Sequence, residues 1–427
     1  MELRTRFDDF LSLAEGVGKM AVERLETGMV FNPMSRAMLD DPYPFYKRLR
    51  ERDPFHRSRP ADGYVLSRYD DIHAVLSERR FSSDERHQRR YPRFSARNKR
   101  AGIPDPYEDD TASMLRVDPP DHTRLRTLVN KAFTPRAVGQ MRSRIETLID
   151  EKLSALPRHG QLELVRDFAS PLPITVIAEM LAIPIADRER FQHWSNEIVR
   201  TLGDGNREDR RASRAAMEEL GSFLEGLVEL RRKDPRDDLF SGLVAAEEEG
   251  DRLSTRELLT TCTLLLVAGN ETTTNLISNS IVALLRNRDQ LEILRSEPKR
   301  IAGAVDELLR FDSPVQLTSR MVVQDEEFRG HSLKRGQQLV LLLAAGNRDP
   351  ERFENPDRLD VTRENVRHLS FSHGLHRCLG AQLALLEGGL AIEALITRLP
   401  DLRFAAEELK WGSNTVLRGP RSLPLAF

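Results

Sequence analysis

A segment without proline, from Ser254 to Glu297, predicts a helix long enough to cross a whole domain. Ser254 and Glu257 have the spacing of a capping box, in which the serine side chain accepts from the glutamate amide and the glutamate side chain reaches back. Roughly 30 helical residues at ~1.5 Å per residue give a length of about 45 Å. Because apolar residues occupy more than one face between Leu258 and Val267, we expect the middle of this helix to be buried.

The middle of this helix carries the polar sequence Gly269-Asn270-Glu271-Thr272. A glycine inside a helix costs about 1 kcal/mol relative to alanine. Thr272 lies four residues after Ala268, so its hydroxyl can bond that carbonyl, an interaction that bends helices. A distorted, buried helix with an acid and an alcohol is typical of a functional site. The alternative is that these residues face water at a helix–helix seam, and the segment alone leaves both interpretations open.

The second informative segment is FSHGLHRCLG, from Phe371 to Gly380, which contains one of the two cysteines of the chain. The sequence LGAQLALLEGGLAIEALITRL that follows Cys378 predicts a helix. Cys378 is therefore expected at a helix N-terminus, where the dipole and the free amides favour a thiolate, and Arg377 adds positive charge. Gly374 and Gly380 are expected where the backbone turns tightly or approaches a flat, bulky group.

A stabilised thiolate without a second cysteine has three uses: nucleophile, redox sensor or single axial ligand of a metal. His376 is a poor base for Cys378, because residues two apart do not face each other in a helix and point to opposite sides of a strand. Ligation of haem iron needs only one cysteine. A lone loop cysteine without a role is the fourth interpretation, which the neighbouring glycines, histidine and arginine make less attractive.

The pattern F-x-x-G-x-H-x-C-x-G from Phe371 to Gly380 resembles the haem-binding loop of the haem-thiolate monooxygenases, the cytochrome P-450 family. Other segments are similar to the oxygen-activation motif, the ExxR signature, the meander and the propionate-binding segment of that family, in the family's order. They are, respectively, Ala268–Thr273, Glu307–Arg310, Asn355–Arg358 and Asp118–Arg126.

The resemblance implies a mainly α fold with a small β region, in which haem lies between the long central helix and the helix after the cysteine loop. We expect one domain, residues 1–427, without a fused reductase. The implied cofactor is haem b (iron protoporphyrin IX), with Cys378 as the thiolate ligand of its iron. Buried haem carboxylates demand charged or strong hydrogen-bond donors. The residues that the resemblance assigns to the cofactor are His122, Arg126, Ala268, Arg320, Phe371, Gly374, His376, Cys378 and Gly380.

The resemblance implies that Thr272 and Glu271 deliver protons on the distal side of the haem, as an alcohol beside an ionisable carboxylate. It implies an apolar substrate pocket. It also implies that Glu307 and Arg310 belong to a buried structural network, whereas a surface pair at this spacing would contribute only a few tenths of a kcal/mol. The pocket residues are Met114, Val267, Val315, Leu317 and Thr415, and the network residues are Glu307, Arg310 and Arg358.

Three positions depart from the family pattern. Ser372 stands where glycine is usual, so we expect a slightly different loop backbone there. Glu271 replaces the commoner aspartate of bacterial members, and a longer carboxylate implies a different proton route. Asp306 stands where another glutamate is frequent, a change that we expect to be harmless.

Charge and hydropathy exclude other classes of function. Formal charge is −2, from 65 basic and 67 acidic side chains, which gives no electrostatic footprint for nucleic acid. No apolar run approaches the ~18 residues that cross a bilayer, and two cysteines provide no disulfide framework. We therefore expect a cytoplasmic protein without a membrane span.

The expected reaction inserts one oxygen atom of O2 into a small apolar or amphipathic molecule, such as a fatty acid, a terpenoid or steroid, or a polyketide-like compound. Electrons are expected from a ferredoxin or flavodoxin with an NAD(P)H-dependent reductase. One alternative is a peroxide-driven peroxygenase, which the Glu271–Thr272 pair disfavours because peroxide brings its own oxygen and protons. The other is a non-enzymatic haem-thiolate sensor, which usually carries an output domain.

Overall fold

The computed structural model of the chain describes residues 2–100, 105, 107, 112–130, 133–181, 183–199, 207–236, 239–248 and 254–427. Helices dominate these residues, and strands form small sheets, which confirms the expected mainly α class with a small β region. None of the described helices is long and apolar enough to cross a membrane. The α-helices are α1 (Glu2–Thr27), α2 (Arg36–Asp40), α3 (Tyr43–Arg52), α4 (Tyr69–Ser77), α5 (Tyr91–Arg100), α6 (Asp121–Asn130), α7 (Pro135–Gln140), α8 (Arg142–Ser154), α9 (Pro171–Met180), α10 (Arg188–Val199), α11 (Arg207–Lys233), α12 (Leu239–Glu248), α13 (Thr255–Arg286), α14 (Arg288–Ser296), α15 (Ile301–Phe311), α16 (Leu343–Gly346) and α17 (Ala381–Arg398).

The strands pair mostly between segments that are distant in sequence. The described strands are β1 (Phe55–Ser58), β2 (Gly63–Leu66), β3 (Phe81–Ser82), β4 (Gln161–Glu163), β5 (Thr318–Val322), β6 (Glu326–Phe328), β7 (His331–Leu333), β8 (Gln338–Leu341), β9 (Arg403–Phe404), β10 (Lys410–Trp411), β11 (Pro420–Ser422) and β12 (Pro424–Ala426). The largest sheet has the order β1-β2-β8-β5-β3, in which only β2 and β8 are parallel. A three-stranded sheet has the order β4-β12-β9, and β6–β7 and β10–β11 form two-stranded pairs.

The alternation of apolar residues predicts strands within 63–71, 321–343 and 411–417, with a turn at Gly330-His331. Strands lie at these places, but they are shorter than the predicted segments. The first predicted segment, 63–71, holds β2 and then the start of α4, because Tyr69 begins a helix. The turn predicted at Gly330 joins β6 to β7, and it is formed by Arg329 at φ 52° and Gly330 at φ 78°. Of the last predicted segment, Trp411 ends β10 and Leu417 makes one isolated bridge to Val315.

Helix α13 has 32 residues, about 48 Å at 1.5 Å per residue, and begins with the predicted capping box. The Ser254 side chain accepts from the Glu257 amide at 3.2 Å, and the Ser254 amide donates to Glu257 Oε2 at 2.8 Å. The continuously buried stretch runs from Thr273 to Leu285, later than predicted, whereas Ala268 is exposed. One face of the earlier half of α13 is therefore open, at the polar segment that sequence analysis singled out.

The central helix packs against the elements that carry the other predicted site residues. Helix α13 contacts α17, which follows the cysteine loop, and α15, which carries the ExxR signature. A large hydrophobic cluster lies among these three helices, and a second cluster joins the first half of α13 to α6, α9, α10, α11 and α12. Together, the two clusters fix the cysteine loop against α13, the helix that carries the polar segment.

Candidate active site

The cysteine loop has a tightly fixed backbone. The Cys378 amide donates to the Phe371 carbonyl at 2.8 Å, and Cys378 stands just before Gly380, the N-cap of α17. Gly374 adopts φ +69°, and a Cβ there would lie 2.2 Å from the Leu76 carbonyl oxygen. Gly374 is thus required twice, by its backbone conformation and by the approach of α4. A Cβ on Gly380 meets no protein atom within 4 Å, so open space adjoins the loop there.

Ser372 keeps a conformation that favours glycine. Its φ is +58°, in the left-handed region, and its amide donates to the Leu369 carbonyl at 2.7 Å. The loop backbone is therefore not changed by the serine. Ser372 holds a backbone conformation that costs an L-residue roughly 1–2 kcal/mol.

Burial outweighs the groups that stabilise a Cys378 thiolate. Burial raises the pKa of Cys378, against the lowering effect of the Gly380 amide, Arg126 and Arg377. The helix N-terminus and Arg377 lower this pKa, as expected, but desolvation, which the sequence did not predict, is the larger effect. The Cys378 side chain is nonetheless accessible on one side. A cation bound at that open side is what would hold the sulfur as a thiolate.

Four predicted cofactor residues form one cluster of donors. The His122 and His376 rings lie 4.2 Å apart between centroids. Burial and then Arg320 lower the pKa of His376 to about 3, and burial and then Arg126 lower the pKa of His122. Burial likewise lowers the pKa of Arg320 to about 10. Within the described part of the chain, neither Arg126 nor Arg320 has a carboxylate within ion-pair distance. Asp118 attracts Arg320 from beyond that distance.

The cluster fits the carboxylates of haem. Both ring nitrogens of His122 and Nδ1 of His376 are buried without a hydrogen-bond partner among the described residues. Buried donors and positive charges without an acceptor are costly, and an anion that accepts from several of them removes this cost. The residues present therefore suit a ligand with two carboxylates, next to an open-sided cysteine.

The polar segment of α13 has the predicted local bond. Thr272 Oγ1 donates to the Ala268 carbonyl at 2.6 Å, so its own oxygen keeps acceptor capacity on the open face of the helix. Asn270 instead turns inward, and its amide nitrogen donates to Ser195 Oγ on α10 at 2.9 Å. A Cβ on Gly269 would meet nothing within 4 Å. The segment combines a hydroxyl and open space at the point where the helix is exposed.

Glu271 is a carboxyl without a described counter-ion. Its Oε2 is buried and has no hydrogen-bond partner among the described residues. Burial raises the pKa of Glu271 to about 7, with no other cause. The group therefore exchanges a proton near neutral pH, as a proton-delivering residue requires.

The ExxR network is buried and largely as expected. Glu307 and Arg310 form a bidentate pair at 2.6 and 2.8 Å, both fully buried. Glu307 also accepts from the Asp360 amide at 3.0 Å and pairs with Arg363 at 3.2 Å. The prediction for Arg358 needs correction, because its side chain is exposed and only its carbonyl accepts from Arg310, at 3.2 Å. The second cation of the network is Arg363, five residues later.

The predicted pocket residues fall into two groups. Met114 is buried in the hydrophobic cluster against which Val267 packs. The stretches that contain Val315, Leu317 and Thr415 are joined through the bridge of Val315 and a bond from the Gln316 amide to the Val416 carbonyl at 2.8 Å. Thr415 lines a narrow cleft of about 20 Å³ together with Tyr46 and Gln316. The two groups belong to different hydrophobic clusters, so the described contacts do not unite all of these side chains.

Several buried polar features were not predicted from the sequence. Glu387, on α17, is buried with Oε2 unpaired among the described residues, and burial raises its pKa to about 8. Its signal was visible, since it is a lone acid in an apolar helical run. Arg363 and the pair Asp306–His368 had no such signal, because their partners lie far away in sequence.

The sequence profile of the cytochrome P-450 family matches residues 64–400. The polyketide biosynthesis cytochrome P-450 PksS of Bacillus subtilis is 39% identical over 410 residues, which cover 93% of this chain and 99% of PksS. The vitamin D(3) 25-hydroxylase of Pseudonocardia autotrophica is 40% identical over 393 residues, which cover 91% of this chain and 94% of that enzyme.

Solved structures give the same result. The structure of Bacillus subtilis PksS superposes with a TM-score of 0.84 at 38% identity and covers 93% of this chain and 99% of its own. The structure of P450BioI in complex with a hexadec-9Z-enoic acid ligated acyl carrier protein gives a TM-score of 0.83 at 34% identity. The match covers 92% of this chain and 100% of the P450BioI chain. The chain therefore belongs to the cytochrome P-450 family and is a haem-containing monooxygenase.

Proposed function

We propose that the chain binds haem b through Cys378 and inserts one oxygen atom of O2 into a small apolar or amphipathic molecule. Haem iron with a thiolate ligand supplies the reductive activation of dioxygen. The observation that carries the proposal is the presence of two features on helices that contact each other: an accessible cysteine and unpaired buried donors before α17, and a half-buried hydroxyl next to a carboxyl with a raised pKa on α13.

The residues of the cysteine side hold the cofactor in this proposal. His122, Arg126, Arg320 and His376 donate hydrogen bonds to the two haem carboxylates, which supply the acceptors that the buried donors lack. Phe371 limits access of water to the sulfur, and its carbonyl fixes the Cys378 amide. Gly380 and Ala268 leave room for the flat ring from opposite sides, consistent with the open space at Gly380 and the exposure of Ala268.

The residues of the α13 side move protons. Glu271 would take up a proton near pH 7 and pass it to the Thr272 oxygen, and the hydroxyl would release its own proton towards the distal side of the haem. The bond from Thr272 to Ala268 holds the hydroxyl in place between transfers. Electrons come, in this proposal, from a ferredoxin or flavodoxin and its NAD(P)H-dependent reductase.

The substrate is proposed to be apolar over most of its surface. Met114 and Val267 belong to or pack against the same apolar cluster, and Val315 and Leu317 are half-buried apolar side chains. PksS is named for polyketide biosynthesis, a second relative is a vitamin D(3) 25-hydroxylase, and P450BioI was solved with an acyl carrier protein that bears a fatty acid. A polyketide-like molecule, a steroid-like molecule and a long-chain acyl group are therefore the substrates to test first.

The test of the reaction is the ratio of product to electrons consumed. With NADH or NADPH, a ferredoxin and its reductase, the parent enzyme is expected to couple most electrons to product. Thr272→Ala is expected to consume electrons at a similar rate but to release hydrogen peroxide in place of product. A Thr272→Ala variant as tightly coupled as the parent would contradict the role of the hydroxyl. Faster turnover with peroxide than with the reductase would favour a peroxygenase.

A further inference from the structure

Asp306 and His368 connect α15 to the segment that leads into the cysteine loop. His368 Nε2 lies 3.1 Å from Asp306 Oδ1, and the histidine side chain is only 4% exposed. The two residues are 62 positions apart, so the contact belongs to the tertiary structure. It lies beside the ExxR network but does not share its partners, because the adjacent Glu307 turns to Arg310.

The second ring nitrogen fixes the state of this histidine. The Ser370 amide donates to His368 Nδ1 at 3.1 Å. Nδ1 is therefore without a proton, and Nε2 carries the proton that is donated to Asp306. Both nitrogens are satisfied, so the ring is held in one orientation from two sides.

The oriented ring lies against the residue that contacts the cysteine. The rings of His368 and Phe371 have centroids 5.4 Å apart, and the Phe371 carbonyl accepts from the Cys378 amide. Ser370, between them, is anchored as well: its hydroxyl donates to the Leu309 carbonyl of α15 at 2.8 Å. A continuous series of short contacts thus runs from Asp306 to the backbone of Cys378.

We propose that Asp306 and His368 are positioning residues for the thiolate ligand, because they hold Phe371 and its carbonyl in the geometry that the Cys378 amide requires. The inference rests on the proposed role of Cys378. It also gives a role to the aspartate that stands at 306 in place of a glutamate: the shorter acid reaches His368 Nε2 with a hydrogen-bond geometry. Loss of the pair frees the His368 ring, so that Phe371 covers the sulfur less of the time and thiolate ligation is lost faster.

The test measures how long the holoenzyme keeps its thiolate ligand after reduction under carbon monoxide, as the half-life of the red-shifted Soret band. Asp306→Ala removes the acceptor and is expected to shorten the half-life roughly three- to tenfold, the factor that one lost hydrogen bond gives. Asp306→Asn keeps an acceptor oxygen and is expected to stay within about twofold of the parent. His368→Asn retains a side-chain acceptor for the Ser370 amide but loses the reach to Asp306, and is expected to behave like Asp306→Ala.

Asp53→Ala is the matched control. Asp53 also accepts from a buried histidine, at 2.7 Å from His56 Nδ1, and it is 31% exposed against 35% for Asp306. It lies before β1, away from the loop. The control is expected to lower the thermal midpoint without changing the half-life of the band.

Three results would overturn the inference. Equal shortening in Asp53→Ala and Asp306→Ala, in proportion to their thermal midpoints, would show a general loss of stability. A parental half-life in His368→Asn would show that the link is unimportant, and this variant decides the matter if Asp306→Ala does not fold. Absence of the red-shifted band from the parent enzyme would instead overturn the role of Cys378, and the inference with it.

Discussion

The amide of Cys378 donates a hydrogen bond to the carbonyl oxygen of Phe371 at 2.8 Å, and the loop between them carries Gly374 at φ +69°. The loop therefore presents its cysteine through backbone geometry, at the start of α17. Burial raises the pKa of Cys378, while the Gly380 amide, Arg126 and Arg377 act in the opposite direction. The loop geometry places Sγ of Cys378 where it can coordinate a metal cation.

Gly374→Ala is expected to destabilise the fold by about 2–4 kcal/mol, because the new Cβ would lie 2.2 Å from the Leu76 carbonyl oxygen at a positive φ. Urea unfolding followed by circular dichroism measures the change. Gly303→Ala is the matched control: Gly303 lies within α15 and its Cβ meets nothing, so the variant is expected to gain up to about 1 kcal/mol. Similar stability of both variants would contradict the loop geometry.

Ser372→Gly is expected to stabilise the protein, since glycine populates the positive φ of this position at no steric cost. The gain is limited to about 1 kcal/mol by the greater freedom of glycine in the unfolded chain. Thermal unfolding of the two proteins side by side measures it. A lower midpoint for the glycine variant would mean that the serine side chain contributes more than its backbone conformation costs.

Arg310→Met is expected to cost about 3–5 kcal/mol, because it leaves Glu307 charged and fully buried beside only one remaining cation, Arg363. Lys334→Met, which breaks the exposed pair with Asp325, is the control and is expected to cost no more than about 1 kcal/mol. Equal losses in urea unfolding would show that the buried network does not hold this side of the fold.

Glu387→Gln is expected to raise stability, and to raise it more at higher pH. The pKa of Glu387 is about 8 in the folded protein, above its ordinary value of 4.5, so the folded state holds a proton that the unfolded state releases between these values. The contribution of Glu387 to the free energy of unfolding is therefore fully present below about pH 4.5 and is lost progressively as pH rises towards 8. By pH 7 the loss is on the order of 3 kcal/mol. Thermal midpoints of parent and variant should converge at pH 5 and diverge at pH 8. A difference in thermal midpoint that is the same at both pH values would contradict the conclusion that Glu387 is buried in its protonated form.

Glu271→Gln is expected to flatten the pH dependence of product formation. The pKa of Glu271 is about 7, so below pH 7 the carboxyl holds the proton that it is proposed to deliver, and above pH 7 it loses it. Product per electron in the parent should fall as pH rises through about 7, and in the variant it should be low throughout. A variant that retains the parental pH profile would assign the titration to another group.

Contacts between residues close in sequence were the most predictable part of the molecule. The capping box of Ser254 and Glu257, the bond from Thr272 to Ala268 and the position of Cys378 before a helix all follow from spacing, and all are present. Local spacing fixes geometry within one helical turn or one loop, so these predictions needed no knowledge of packing.

Contacts between distant segments were not predictable from the residues alone. Arg358 stood at the motif position, yet its side chain is exposed and Arg363 pairs with Glu307, 56 positions away in sequence. The buried length of α13 was also misplaced, since burial depends on which helices cover it. The predicted effects of the helix N-terminus and Arg377 on the pKa of Cys378 are present, but the larger effect of burial was not predictable, because desolvation is a property of the folded surroundings.

The ligand of the haem iron is the central claim, and one absorption spectrum tests it most directly. The purified enzyme, reduced under carbon monoxide, is predicted to show a strongly red-shifted Soret band that is lost in Cys378→Ser. The band is predicted to persist in Cys262→Ala, which removes the other, fully buried cysteine. A parent spectrum without the red shift, or a red-shifted band that survives Cys378→Ser, would contradict the account.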